Sequence, residues 1–263
     1  MKVAAVSYLN TLPMVWGLSQ RLHAPAVGLT LAVPSVCAQL FHERRVDVAL
    51  LPVGALLDEP QAIVLDGYCI GARGAVESVG IYSHVPLEQV RRLYLDSDSR
   101  TSILLARVLL GRYWECRPQF LPLPPDLLEK GEAIDEAVLL IGDKVFAYRR
   151  RYEYAYDLGE AWRLFTGLPM VFAVWASHTT PATDWLTAFQ GALGYGIAHI
   201  PEALASFALP ESISPQQATD YLCGRIDYAY DAEKKNAFRR YREEVMRLPD
   251  LPPVSFESCL LRS

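Results

Sequence analysis

Short apolar runs alternate with segments of helical spacing along the first part of the chain. Apolar runs of strand length occupy residues 3–7, 29–33 and 46–53. Between them, residues 13–22 and 34–45 carry apolar side chains at the spacing of one helix face. Such alternation is typical of parallel β-α-β units, in which helices cover both faces of a sheet. The pattern therefore predicts an α/β fold.

The middle of the chain repeats this alternation and divides the sequence into two parts. Long apolar strands are predicted at residues 75–83 and 170–177, and the block between them has strands and helices of its own. If both strands cross between two lobes, one lobe contains residues 1–83 plus 177–263 and the other contains residues 84–176. Ligands of such folds bind where the carboxyl ends of the strands meet. We therefore predict a ligand cleft between the lobes.

Composition and charge narrow the class of protein. Of the 263 residues, 51% are hydrophobic and 21% are charged, which excludes a disordered, collagen-like or coiled-coil chain. The formal net charge is −5, so the chain lacks the basic surface that nucleic-acid binding usually needs. Local hydrogen-bond donors would have to hold any anionic ligand, because the whole protein would repel it weakly.

The cysteines and the apolar stretches favour a cytoplasmic protein. The chain has five cysteines, an odd number without a C-x-x-C pair, which argues against a disulfide scaffold or a zinc knuckle. No stretch is long and apolar enough for a transmembrane helix, so we expect no membrane partner. The start of the chain loosely imitates a signal peptide that would end at residues 24–26. Because Ser7, Asn10 and Pro13 interrupt the apolar run, the first strand of a folded domain is the better interpretation.

Common catalytic and cofactor signatures are missing from the sequence. It contains no H-x-x-x-H pair, no P-loop, no G-x-G-x-x-G loop and no G-x-S-x-G nucleophile turn. We therefore expect neither a metal nor an organic cofactor.

Residues 99–102, Ser-Arg-Thr-Ser, open the predicted middle helix. Free N–H groups of the first turn, the hydroxyls of Ser99, Thr101 and Ser102, and the Arg100 guanidinium could converge on an anion. An ordinary helix cap followed by a surface arginine explains the same residues equally well.

Polar residues also follow other predicted strands, where a cleft would form. Residues 7–11 follow the first strand, Ser78 interrupts a long strand, and Gly142 and Asp143 end a buried one. Taken singly, each is more simply a turn, cap or satisfied strand residue. Their common position at strand ends favours a binding site.

Motifs spread over much of the chain resemble, in order, those of a known enzyme family. They are SYLNTLP (7–13), VDVALLPV (46–53), GAVESV (74–79), LDSDSRTS (95–102), LLIGD (139–143) and YDLGEAWRLFTGLPMVFAVW (156–175), with a weaker match in YLCGRIDY (221–228). By these motifs the chain resembles the chorismate dehydratases of menaquinone synthesis by the futalosine route, the MqnA family. The resemblance implies a two-lobed type II periplasmic-binding-protein-like fold, which agrees with the α/β pattern.

The resemblance also implies a hydro-lyase reaction, in which chorismate is converted to 3-[(1-carboxyvinyl)oxy]benzoate and water. The C3 proton and the C4 hydroxyl of the ring are lost, and the ring becomes aromatic. The enzyme then needs mainly to orient the ring and to stabilise developing charge. The family's catalytic asparagine corresponds to Asn10. Since an amide is a poor base, our hypothesis is that Asn10 orients a water molecule or the substrate's own side-chain carboxylate, which takes the proton.

The remaining candidates would bind the two carboxylates of the substrate. Ser78 and the turn at 99–102 would hold them, and Arg100 is a charge partner unless it faces solvent. Glu77 stands where the family has a basic residue, and a carboxylate beside a dianion is unfavourable. We therefore expect Glu77 to point out of the cleft. The substrate-binding candidates are Ser7, Ser78, Ser99, Arg100, Thr101, Ser102, Gly142 and Asp143.

Other functions fit the same fold. The nearest alternative is the sister enzyme of the pathway, 1,4-dihydroxy-6-naphthoate synthase, although the SYLNT loop and the SRTS turn favour the dehydratase. A non-catalytic small-carboxylate-binding protein feeding a transporter would need a signal peptide or a lipobox cysteine, which the sequence does not show. A ligand-sensing domain is a third alternative, but no DNA-binding segment is attached. The sequence does not predict the oligomeric state.

Overall fold

The computed structural model describes residues 1–22, 27–124, 128 and 137–249. The small residues at 24–26 that imitate a signal cleavage site lie outside the described residues. Across the described part of the chain, no helix is both long and apolar enough to pass through a bilayer.

The described residues alternate between strands and helices in the manner that the apolar pattern predicts. The strands are β1 (Lys2–Val6), β2 (Gly28–Ala32), β3 (Val48–Pro52), β4 (Ile63–Ala72), β5 (Val79–Ser83), β6 (Arg92–Leu95), β7 (Gln119–Pro122), β8 (Ala137–Ile141), β9 (Tyr154–Asp157), β10 (Met170–Ser177) and β11 (Asp227–Tyr230). The α-helices are α1 (Leu12–Arg21), α2 (Pro34–His42), α3 (Arg100–Arg112), α4 (Lys144–Tyr148), α5 (Leu158–Thr166), α6 (Thr183–Ala198), α7 (Ile200–Ala205), α8 (Pro215–Gly224) and α9 (Ala232–Met246). Short 3₁₀ turns cover Leu9–Thr11, Ala55–Asp58, Leu87–Gln89 and Arg149–Arg151.

The strands form two mixed sheets. The first has six strands in the order β11-β4-β10-β3-β1-β2, and the second has five in the order β7-β6-β8-β5-β9. In the first sheet β1 runs parallel to β2 and β3, whereas β10 runs antiparallel to β3 and β4. In the second sheet β6 runs parallel to β7 and β8, and β5 runs antiparallel to β8 and β9. The α/β class is therefore confirmed, with antiparallel pairs wherever a crossing strand joins a sheet.

The chain crosses between the two sheets after β4 and again through α5. The predicted strand at 75–83 is wrong in its first half, because only Val79–Ser83 is a strand. Glu77 has a φ of 61°, a left-handed conformation that a strand does not allow. The carboxylate of Asp157 accepts the N–H groups of Val76 and Glu77 at 3.0 and 2.7 Å, so this segment is held by a side chain instead of a neighbouring strand.

Strand pairing assigns each crossing strand to a sheet. Val79–Ser83 pairs within the second sheet and Met170–Ser177 pairs within the first. We propose two lobes on this basis: lobe 1 is built on the first sheet and lobe 2 on the second. The predicted division placed residues 1–83 in lobe 1 and residues 84–176 in lobe 2. In the division proposed from strand pairing, β5 moves to lobe 2 and β10 moves to lobe 1.

Close packing of α1 on α6 fixes the segment that precedes α1. Gly17 of α1 and Gly196 of α6 meet where the backbones touch, and a Cβ on Gly196 would collide with the carbonyl oxygen of Pro13. Glycine at both positions therefore allows the helices to approach at backbone distance. The position of α1 in turn sets the position of the Leu9–Thr11 turn before it.

Candidate active site

A narrow cleft with a cavity volume of about 50 Å³ lies between the two lobes. Its walls come from the segment after β1, the crossing segment before β5, the start of α3, and the turn after β8. The polar or small lining residues are Tyr8, Asn10, Thr11, Ser78, Ser99, Ser102 and Gly142. The apolar ones are Val6, Pro34, Leu50, Pro52, Ile70, Val76, Val79, Ile141, Phe172 and Ala173. No charged side chain is among these described lining residues, so neutral donors must hold any anion in the cleft.

Ser99 and Ser102 place two hydroxyls at the start of α3. Ser99 caps the helix, since its Oγ accepts the N–H of Ser102 at 3.2 Å, and the two Oγ atoms lie 2.9 Å apart. Both serines are buried and line the cleft. Ser99 therefore caps the helix, and both serines are also placed to bind a ligand in the cleft.

Arg100 and Thr101 point away from the cleft, contrary to their prediction as substrate-binding residues. Arg100 donates from Nη2 to Oδ1 of Asp58 at 3.0 Å, and burial lowers the pKa of its guanidinium to about 10. Thr101 accepts the N–H of Gly54 at 2.9 Å and donates to the carbonyl of Phe172 at 3.2 Å. Residues three apart share a helix face while their neighbours do not, which explains why only the two serines line the cleft.

Ser7 and Asp143 also lie outside the lining. Ser7 is exposed at the end of β1. The Asp143 carboxylate accepts the N–H of Leu9 at 3.1 and 3.3 Å, and burial raises the pKa of that carboxyl although the hydrogen bond opposes the shift. Asp143 therefore positions the loop of Asn10 instead of lining the cleft.

Gly142 brings the two lobes into contact at the cleft. Its φ is +60°, and a Cβ there would lie 2.7 Å from ring atoms of Tyr8. Glycine therefore serves both the left-handed turn and the close approach of the Tyr8 ring.

Asn10, Ser78 and Tyr221 form a connected polar group. The Tyr221 hydroxyl donates to Oγ of Ser78 at 2.7 Å, and the side chain of Asn10 lowers the pKa of Tyr221, although burial outweighs this effect. Oδ1 of Asn10 accepts a hydrogen bond from the Thr11 hydroxyl at 3.1 Å, and its carbonyl accepts one from Tyr228 at 3.0 Å. Burial raises the pKa of Tyr221 well above the ordinary value, so this hydroxyl keeps its proton.

The sequence did not single out Tyr221 and Tyr228 as site residues. A buried aromatic residue on a helix or strand is read as core, and the weak motif at 221–228 was the available signal. Because both hydroxyls reach the Asn10 segment from α8 and β11, only the tertiary fold shows their contribution.

Tyr8 is a third residue that the sequence did not assign to the site. It lines the cleft, and its hydroxyl is buried without a hydrogen-bond partner among the described residues. Burial raises its pKa, and the charges of Asp98, Asp96 and Asp143 add to the effect. The hydroxyl is therefore a protonated donor that can bond to a ligand.

Lys144, Asp96 and Asp98 form a charged cluster near Tyr8. Nζ of Lys144 contacts Asp96 at 3.0 Å and Asp98 at 2.7 Å. Burial alone would lower the pKa of Lys144, but the two carboxylates outweigh it and the pKa is raised. The Lys144 ammonium group therefore stays charged and offsets the negative charge of the two aspartates.

Glu77 lies outside the cleft lining, as we expected. Its carboxylate pairs with Nε of Arg225 at 2.7 Å and lies 3.9 Å from Nη1 of Arg149. No group of three or more His, Cys, Asp or Glu side chains within the described ranges is arranged to hold a metal ion.

Comparison with solved structures identifies the fold. Protein AF1704 of Archaeoglobus fulgidus matches with a TM-score of 0.71 and 13% identity, covering 93% of this chain and 96% of that one. The CA3427 gene product of Candida albicans, described as having the generic periplasmic binding protein fold, matches with a TM-score of 0.66 and 13% identity over 96% and 92% of the chains. The alkanesulfonate-binding protein SsuA of Xanthomonas axonopodis pv. citri, bound to MOPS, matches with a TM-score of 0.65 and 14% identity over 95% and 94%. The chain therefore has the periplasmic-binding-protein fold.

Comparison with protein families gives a match over most of the chain. The model of a family described as menaquinone biosynthesis matches residues 1–246.

Proposed function

Because the chain belongs to the menaquinone biosynthesis family, we propose that it catalyses one step of that pathway, the dehydration of chorismate to 3-[(1-carboxyvinyl)oxy]benzoate. The observation that carries this proposal is the arrangement of the cleft. Asn10 lines the cleft together with Ser78, which is hydrogen-bonded to Tyr221, and Ser99 and Ser102 line the same uncharged cleft at the start of a helix.

The cleft suits a small ring that carries two carboxylates. The N-terminus of α3 offers backbone N–H groups and a favourable dipole to one carboxylate, with the hydroxyls of Ser99 and Ser102 beside them. Apolar walls such as Ile70 and Phe172 can hold the flat ring. The cavity volume of about 50 Å³ is below the range of small-molecule sites, so the lobes must separate for the ring to enter.

Tyr221 directs the Ser78 hydroxyl toward the ligand. Since the Tyr221 hydroxyl donates to Oγ of Ser78, the Ser78 hydrogen is free to be donated elsewhere. A substrate carboxylate in the cleft is an acceptor for it. Hydrogen bonds to a charged group contribute about 1.5–3 kcal/mol each, so a few neutral donors can replace an arginine.

In the proposed reaction the C3 proton and the C4 hydroxyl leave the ring as water. The C3–H electron pair forms a ring double bond, and the C4–O bond breaks as the ring becomes aromatic. Asn10 cannot take the proton, but its amide can orient a water molecule or the substrate's side-chain carboxylate that does. Groups fixed before the reaction stabilise the developing charge without reorganising.

The test is turnover of chorismate by purified protein, followed by mass spectrometry for the loss of one water. We expect Asn10→Ala to lower kcat by at least about a hundredfold, the scale of general acid–base and positioning effects, whereas Asn10→Asp supplies a carboxylate and should retain more activity. Full activity of Asn10→Ala would exclude a catalytic role for this residue. Binding of chorismate without turnover would favour a small-carboxylate-binding protein, and absence of binding would favour the sister enzyme.

A further inference from the structure

A second groove lies next to the cleft, on the other side of Tyr221. Tyr221 lines this groove, while its hydroxyl bonds to the cleft-lining Ser78. The groove has a cavity volume of about 520 Å³ and lies between the lobes. Phe146 and Arg149 line it from lobe 2, and Arg225 lines it from lobe 1 at the end of α8.

Arginine side chains from both lobes converge in this groove. Arg149 and Arg150 come from the 3₁₀ turn after α4, and Arg225 follows α8. Arg150 is exposed and has no hydrogen-bond or ion-pair partner within the described part of the chain. The carboxylates of Glu77 and Asp220 also line the groove. Three arginines against two carboxylates leave the lining slightly positive in a protein whose formal net charge is −5.

The Glu77 carboxylate lies between two of these guanidinium groups. It contacts Arg225 at 2.7 Å and lies 3.9 Å from Arg149. These two arginines belong to different lobes, and Glu77 belongs to the segment that crosses between them. The protein's own carboxylate therefore shows where an external carboxylate would sit.

We propose that this groove is a second anion-binding site, in which Arg149, Arg150 and Arg225 bind a carboxylate-bearing small molecule in competition with Glu77. Guanidinium groups bind carboxylates through paired hydrogen bonds, and Arg150 adds a contact that Glu77 does not make. The contact between Glu77 and the arginines limits the affinity of the groove, because a ligand must displace it.

The identity of the ligand rests on the proposed function and adds a step of substrate capture to it. If the substrate is the chorismate dianion, a positive groove beside the cleft raises the rate at which the substrate is captured. The groove and the cleft are adjacent, because Tyr221 lines the groove and its hydroxyl bonds to the cleft-lining Ser78. The groove then acts on the capture of substrate and leaves the chemical step unchanged.

The first experiment measures binding of isophthalate, a rigid benzene dicarboxylate that the proposed reaction does not consume, by titration calorimetry at low ionic strength. We expect Arg150→Ala to weaken binding about three- to tenfold. Glu77→Gln removes the competing charge and should strengthen binding by a similar factor. The matched control is Arg239→Ala on α9, which removes the same charge from an exposed position outside the groove and should leave binding as in the wild type. Equal affinities of the Arg150 and Arg239 variants would overturn the proposal.

The second experiment measures chorismate turnover as a function of salt. We expect Arg150→Ala to lower kcat/KM about three- to tenfold at low ionic strength, to leave kcat unchanged, and to lose this difference at high salt. A change in kcat instead would contradict a capture site. If the wild type does not turn over chorismate but the isophthalate pattern holds, the proposed function fails and the anion site stands. If the wild type turns over chorismate but the variants do not change isophthalate binding as expected, the proposed function stands and the anion site fails.

Discussion

Hydroxyl groups supply most of the side-chain donors of the cleft, and their partners determine what each one can offer. Ser78 accepts a hydrogen bond from Tyr221, and Ser99 accepts one from the N–H of Ser102. The Ser99 and Ser102 hydroxyls also share a hydrogen bond, so the Ser78 hydrogen and one of these two remain for an anionic ligand. Tyr8 differs because its hydroxyl is buried without a described partner. A buried donor without a partner costs about 1–3 kcal/mol, so a ligand that accepts its hydrogen bond recovers that energy.

Tyr8→Phe therefore should have opposite effects on stability and on substrate binding. Loss of the unpartnered hydroxyl should leave the free energy of unfolding unchanged or raise it by up to about 1 kcal/mol. Loss of a donor to the substrate should raise the KM for chorismate about three- to tenfold. Chemical denaturation and steady-state kinetics measure the two effects.

Tyr156→Phe is the matched control for this variant. The Tyr156 hydroxyl accepts the N–H of Leu87 at 2.9 Å in lobe 2, outside the cleft lining. Its removal should lower stability and leave KM unchanged. A loss of stability in Tyr8→Phe without a change in KM would show that the Tyr8 hydroxyl serves the fold.

Sequence patterns predicted part of the cleft lining, because these residues lie next to the ends of strands. Asn10, Ser78 and Gly142 line the cleft together with Ser99 and Ser102, as their common position at strand ends suggested. Arg100 was assigned by its charge, but the direction of its side chain depends on Asp58, which lies far away in sequence. The hydroxyls of Tyr8 and Tyr221 were not recognised, because the polar atom of a buried tyrosine is used only where the tertiary fold brings a partner.

At the scale of elements, the contact of α1 with α6 fixes the loop that carries Asn10. Gly196→Ala should destabilise the fold by about 1–3 kcal/mol, the usual cost of overpacking, because the new Cβ would collide with the Pro13 backbone. Displacement of α1 should also lower kcat for chorismate, since the Asn10 turn directly precedes this helix. Urea denaturation and turnover measure the two effects.

Gly191→Ala on the same helix is the control. A Cβ at Gly191 meets no atom within 4 Å, so this change should leave stability unchanged or raise it by up to about 1 kcal/mol through helix propensity. Equal effects of the two alanine substitutions would show that close packing of α1 on α6 is not required.

The elements themselves were largely predictable, and the errors have local causes. Apolar runs predicted β1, β3, β8 and β10, and helical spacing predicted α1 and α2. The segment before β5 was predicted as strand because residues 75–83 are mostly apolar. Its hydrogen bonds go instead to Asp157, a partner 80 residues away from Glu77. Sequence spacing does not show such a long-range side-chain partner.

At the scale of the whole molecule, contacts between the lobes determine how closed the cleft is. One contact joins the loop after β1 to the turn after β8, where Asp143 accepts the N–H of Leu9. Another joins α8 to the crossing segment, where Tyr221 donates to Ser78. The first contact lies next to Asn10, and the second includes the cleft-lining Ser78. Closure of the lobes and assembly of the site are therefore coupled.

Asp143→Ala should weaken closure without removing a group that lines the cleft. The variant loses hydrogen bonds to a charged acceptor, a loss of about 1.5–3 kcal/mol, which shifts the balance toward an open form by roughly tenfold or more. We expect a larger radius of gyration in small-angle X-ray scattering of the ligand-free protein. The KM for chorismate should rise up to about tenfold, because only part of the protein is then ready to bind.

Two further variants separate closure from a general loss of stability. Asp143→Asn keeps one side-chain oxygen as an acceptor for the Leu9 N–H and should restore most of the compactness and of the KM. Asp47→Ala removes a carboxylate that accepts the N–H of Lys2 at 2.7 Å within lobe 1, and it should change neither measurement. If Asp143→Ala raises KM while the radius of gyration stays at the wild-type value, Asp143 acts on the Asn10 loop alone. Closure of the lobes would then depend on their other contacts, such as Tyr221 with Ser78 and Thr101 with Gly54.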